Sequence, residues 1–155
     1  MTHAEAARLS AELAHELENL ERGLGEIVSR RDARDDTTTY AVALLLMNYY
    51  TGAERIFHRV ATALGGVPRG DRWHAQLLED MALDIEGVRP PVLRRATAEG
   101  LGELLRFRHV VRSLYAWTLR RTELDDLVDG LGALHAALAE DVTTFRAFLS
   151  ALARA

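Results

Sequence analysis

No cysteine occurs anywhere in these 155 residues, and no lysine either: every one of the 19 basic side chains is arginine. Without thiols there is no disulfide framework and no thiolate metal site, which suits a reducing compartment. The absence of lysine reads as a mark of genome composition and carries no mechanism. Proline is restricted to Pro68, Pro90 and Pro91. The longest uncharged apolar run, Tyr40 to Met47, falls far short of the roughly 20 residues that span a bilayer. The first residues include His3, Glu5 and Arg8 with no apolar run, which is not the pattern of a secretory leader. The expectation is a cytoplasmic protein with no membrane segment. A net charge of −4 argues against coating nucleic acid through bulk charge and confines any such contact to a local patch.

What is present is helix. Hydrophobic residues make up 48% and charged residues 27%, the balance of a globular domain, and the length suits one domain over residues 1–155. From Glu5 to Arg30, Leu9, Leu13, Leu17, Leu20, Leu24 and Ile27 recur at three- and four-residue steps, which predicts an amphipathic helix. Asp36 with Thr37 offers a cap for a second helix, apolar all round from Ala41 to Met47 and ending at Gly65-Gly66. Asp71 caps a short helix from Arg72 to about Asp84. Gly87 to Pro91 interrupts helix. A fourth helix begins between Pro91 and Thr97 and runs to about Leu119. Thr122 with Asp125 resembles a capping box that starts the last helix, in which Gly130 and Gly132 suggest a close helix contact. No strand signal and no repeat appears. The reading is an all-α, up-and-down four-helix bundle with one additional short helix.

The chemistry gathers between Glu103 and Trp117. As continuous helix this stretch puts Arg108, Arg112 and Tyr115 within one arc, with His109 and Ser113 beside them. Phe107, Val110, Leu114 and Trp117 take the opposite, core-facing side, with Val111 at its edge. Two guanidiniums, an imidazole, a hydroxyl and a phenol on one face can hold a phosphodiester, because arginine is a planar bidentate donor and histidine moves protons near neutral pH. The ordinary alternative for Arg108 and Arg112 is surface ion pairing with a neighbouring helix.

The same stretch resembles the HEPN superfamily, and within it the HepT-like toxins of toxin–antitoxin pairs. Their signature is Arg, four residues, His, one residue, Tyr, usually after Phe. Phe107, Arg108, His109 and Tyr115 match its Phe, its Arg, the polar residue after the Arg, and its Tyr, while Ser113 stands at the position of the catalytic His. Tyr49 to Phe57, and Trp73-His74 followed by Leu77-Leu78, also look like HepT-like proteins, so the likeness covers roughly residues 40–125. It implies a HEPN-like bundle in a two-fold dimer, and a metal-independent endoribonuclease or a weakened derivative of one. In that reading Arg108 holds the scissile phosphate with Arg112 beside it, and His109 or Ser113 handles the proton. Tyr115 is the site where a nucleotidyltransferase-type antitoxin would attach a nucleoside monophosphate.

Neither a cofactor nor a metal is implied. Tyr50, Glu54 and His58 share a stripe of the second helix, but two metal-competent ligands are too few for a site. Glu54 is expected instead to pair with an arginine of the fourth helix and orient it, and His74 to pack against Trp73. Leu101, Leu105 and Leu119 fall on the arginine arc and would line the dimer contact. Two further classes stay open. One is a non-catalytic HEPN module binding nucleotide, RNA or a nucleotidyltransferase partner; the other is a plain helical dimer.

Overall fold

In the computed structural model, which describes residues 1–154, the chain is all-helical. Five α-helices follow in order: α1 (His3–Val28), α2 (Asp36–Leu64), α3 (Trp73–Met81), α4 (Arg95–Val111) and α5 (Asp125–Leu152). Two single turns of 3-10 helix, Ala116–Thr118 and Arg121–Glu123, link α4 to α5. α1 packs on α2 and α5, and α4 closes the ring on the same two helices. The short α3 lies against α2 and α4. Among the described residues no helix is long and apolar enough to cross a membrane.

Local chemistry sets most of the helix ends. Thr2 and Glu5 form a reciprocal capping box at the start of α1, and the hydrogen bonds from Thr2 hold the Glu5 carboxyl below its ordinary range. Asp35, one residue before the expected cap, accepts from the Thr38 backbone N–H at 3.0 Å and opens α2. Gly65 and Gly66, at φ 153° and 87°, end that helix in backbone conformations that disfavour a side chain. The core runs along α1, α2 and α5, where Leu13, Ile27, Leu46, Tyr49, Phe57, Phe145 and Leu149 are fully buried. α2 is indeed central, although Leu44 within its apolar first half faces outward.

The fourth helix is shorter than its periodicity predicts. It ends at Val111, and Tyr115 is already extended at φ −76° and ψ 133°. Locally, the Ser113 hydroxyl donates to the Val110 carbonyl at 2.9 Å, the kind of side-chain bond that competes with helix continuation. Globally, the chain folds back to bury Leu119 and Arg121. The Arg121 guanidinium donates to the Arg31 carbonyl at 2.9 Å, which ties the α4–α5 link to the α1–α2 turn. Several expectations fall with this ending. Val110, Leu114 and Trp117 are exposed instead of core-facing. Leu101 and Leu119 are buried within the chain itself, so they cannot line a contact between copies.

Two smaller corrections follow from packing. Thr122 does not cap α5, which starts after an uncapped Leu124; Asp125 is taken up by Arg34 at 2.8 Å and by Arg121 at 3.3 Å. Gly130 and Gly132 mark no close helix contact, for a methyl group at either would meet nothing within 4 Å. The tight approaches are elsewhere. A methyl at Gly52 would sit 2.7 Å from Leu20 Cδ2, and one at Gly100 2.7 Å from Leu134 Cδ1.

Candidate functional site

Helices α3 and α4 enclose an open groove of about 1050 Å³. His74 and Leu78 contribute to its α3 wall, and Leu105, Arg108, His109 and Arg112 to its α4 wall. Five arginines and four carboxylates line it in all, so its charge is mixed, not uniformly basic. The positive end lies at the C-terminus of α4. There Arg108 and His109 fill the last turn and Arg112 caps the helix, where the helix dipole favours cations. Arg106, on the same helix, is neutralised by Glu103 at 2.5 Å.

Arg108 differs from the other arginines in one respect. Among the described residues it is the one half-buried arginine with neither a carboxylate nor a carbonyl partner. The others without such partners, Arg112 included, lie out in solvent. Surface ion pairing therefore does not account for Arg108. Its charge reaches the buried Tyr50 hydroxyl of α2. Burial pushes that phenol above its ordinary range and the nearby Glu54 carboxylate adds to the effect, while Arg108 opposes it. The Tyr50 hydroxyl is itself buried with no hydrogen-bond partner among the described residues.

The remaining residues of the Arg-to-Tyr stretch do not share one face. His109 is exposed, whereas the Ser113 hydroxyl is used in the turn that ends α4. Tyr115 lies beyond the helix, 68% exposed, with its ring stacked on the equally outlying Trp117 at 4.5 Å between centroids. Arg108, His109 and Arg112 are brought together along the groove; Ser113 and Tyr115 are not among the groove's lining residues.

Glu54 does not meet an arginine of α4. It is buried, and its Oε2 lies 2.6 Å from His74 Nδ1 on α3. His74 does pack against Trp73 as expected, with the rings stacked at 3.6 Å between centroids. The carboxylate behind it has no local signature, because the two residues are 20 positions apart on different helices. The stripe of Tyr50, Glu54 and His58 divides as well: His58 is exposed and engages Thr62, while the other two are buried. Among the described residues no three histidine or carboxylate side chains cluster as a metal would require.

A family profile described as HepT-like protein matches residues 41–149. The matched span runs from the first turns of α2 into the last turn of α5 and contains both walls of the groove. Neither the curated proteins nor the solved structures contain a match to this chain.

Proposed function

The chain belongs to the HepT-like family, and from that premise we propose that it is a HEPN-type toxin module, one domain over residues 1–155, that grips an RNA backbone in the α3–α4 groove. The observation that carries this reading is Arg108, half-buried beside the groove with no carboxylate or carbonyl partner among the described residues. A phosphodiester supplies what it lacks, since its two non-bridging oxygens match the planar guanidinium fork. Arg112 and His109 stand next to it on the same wall and extend the grip. Because charge on the phosphate oxygens rises toward the transition state, a fixed Arg108 also favours cleavage over mere binding. The reaction is metal-independent strand cleavage, slowed by the substitution of Ser113 for the signature histidine. Binding without cleavage is a second reading, favoured by the Ser113 hydroxyl being spent on the Val110 carbonyl.

Two partners belong to the proposal. A nucleotidyltransferase-type antitoxin would modify Tyr115, whose 68% exposure supports its access to the phenol. A second copy would cover the apolar end of α4 and the link beyond it, where Val110, Leu114 and Trp117 are 53%, 45% and 71% exposed. Of the leucines expected at that contact, Leu101 and Leu119 are buried, and the half-buried Leu105 stays available beside these three side chains. Modification tests the first partner: incubation with the antitoxin and ATP should add one nucleoside monophosphate, mapped by mass spectrometry to Tyr115. An adduct on Tyr40 instead, or none, would remove that assignment.

RNA binding is tested by fluorescence anisotropy with a labelled RNA oligonucleotide in EDTA. Arg108→Ala should weaken binding by about tenfold or more, the worth of a charge-assisted contact. Equal affinity of the variant and the natural chain would contradict the reading.

A further inference from the structure

We propose that the proton-transfer group of this site is His74, oriented by Glu54, and that this pair takes over what the signature histidine would do at position 113. The inference rests on the RNA reading above and names the acid–base group within the same groove. The geometry is that of a carboxylate–imidazole dyad. Glu54 Oε2 lies 2.6 Å from His74 Nδ1, and a carboxylate acceptor there fixes the proton on Nδ1 and leaves the lone pair on Nε2. Nε2 has no hydrogen-bond partner among the described residues, and the side chain, 26% exposed, lines the same groove as Arg108. Stacking on Trp73 holds the ring plane from the other direction. The charges of Glu54 and Arg108 both reach the buried Tyr50 hydroxyl, in opposite directions.

The competing candidates lack this support. His109 is exposed, and its ring makes no hydrogen bond to any described residue, so nothing orients it. Ser113 is a poor base at neutral pH without a partner to take its proton, and its hydroxyl already serves the turn. Of the histidines at the groove, His74 is the one whose ring is held by a carboxylate, and it shares the groove lining with Arg108.

The step balances without an added reagent. His74 Nε2 accepts the proton of the ribose 2′-hydroxyl, and the 2′-oxygen attacks the phosphorus held by Arg108. The bond from phosphorus to the 5′-oxygen breaks, and that oxygen leaves with a proton from water. The products are a 2′,3′-cyclic phosphate and a free 5′-hydroxyl, and the imidazolium returns its proton to solvent. Glu54 touches no reacting atom; it is a positioning residue that holds the ring and stabilises the imidazolium.

The experiment uses the full chain, a short RNA oligonucleotide and EDTA buffer. His74→Ala should lower kcat by about 10²–10⁴-fold with KM and RNA affinity within about twofold, and added imidazole should restore part of the rate. Glu54→Gln, which keeps a hydrogen-bond acceptor, should lower kcat roughly tenfold to a hundredfold, again without a change in KM. A second measurement needs no variant: the ring resonances of His74 should shift when a 2′-O-methyl RNA oligonucleotide, which binds but cannot react, is added to the natural chain. Undiminished cleavage by His74→Ala, binding without any cleavage by the natural chain, or unshifted His74 signals in the oligonucleotide complex would each overturn the dyad. Those results leave the RNA reading in place if Arg108→Ala still weakens binding. Should Arg108→Ala bind RNA as well as the natural chain does, the reading fails and takes the dyad with it.

Discussion

At Arg108 a half-buried cation has no carboxylate partner among the described residues, and at His135 a half-buried imidazole avoids becoming a cation. The His135 ring sits 2.9 Å from the Tyr49 hydroxyl, between α5 and α2. Burial lowers its pKa below the ordinary histidine value, with the Glu21 charge opposing. The unfolded chain therefore takes up a proton before the folded one does. Stability contributed by the neutral ring is fully present above about pH 6.5 and is lost as pH falls through the folded value. The natural chain should consequently lose thermal stability as pH falls below about 6.5. Part of that loss should be absent in His135→Asn, which does not titrate there. Parallel melting curves for the two chains across this range would expose an error in the assignment. The arginines carry a different expectation. Arg112 is solvated at the groove rim, so Arg112→Ala should cost less RNA affinity than Arg108→Ala, severalfold at most. Binding isotherms that rank the two variants the other way would move the phosphate toward the rim.

Helix–helix spacing makes its own prediction at the level of elements. Gly130 and Gly132 occupy exposed positions of α5 where a methyl group meets nothing. Gly130→Ala and Gly132→Ala should each stabilise the chain by about 1 kcal/mol through helix propensity alone. Gly52 has the opposite character, because its missing side chain lets α2 approach Leu20 of α1. Gly52→Ala should destabilise, since overpacking a filled interface typically costs about 1–3 kcal/mol and exceeds the propensity gain. Urea titrations of the three variants check both signs at once.

The elements also show where sequence suffices. Both ends of α2 are legible to within a residue, because a side-chain cap and a glycine pair are local signals. The end of α4 is not. Glu103 to Trp117 contains neither glycine nor proline, and the helix stops because Leu119 and Arg121 gain more from burial than from continuing it. Arg108 and Arg112, one turn apart near that end, still share a groove as periodicity implies. Tyr115 does not, and the Glu54–His74 contact is a product of tertiary packing with no spacing to betray it.

For the molecule as a whole, the arrangement separates structure from interaction. The α1–α2–α5 side carries most of the buried apolar side chains, and α1 lies outside the span shared with the HepT-like family. The α3–α4 side carries the groove, the unsatisfied arginine and the exposed aromatic pair beyond it. With a net charge of −4, RNA affinity must arise from a few phosphate contacts, so its logarithm should fall with log salt at a shallow slope, about one phosphate per engaged arginine. RNA is expected to lie between α3 and α4. Hydrogen–deuterium exchange of the natural chain with and without saturating 2′-O-methyl RNA oligonucleotide reports where it lies. Exchange should slow in α3 and in the last turns of α4, with α1 and the outer face of α5 unchanged. Protection confined to α1 or α5, or a saturated complex that leaves the groove helices unprotected, would contradict it.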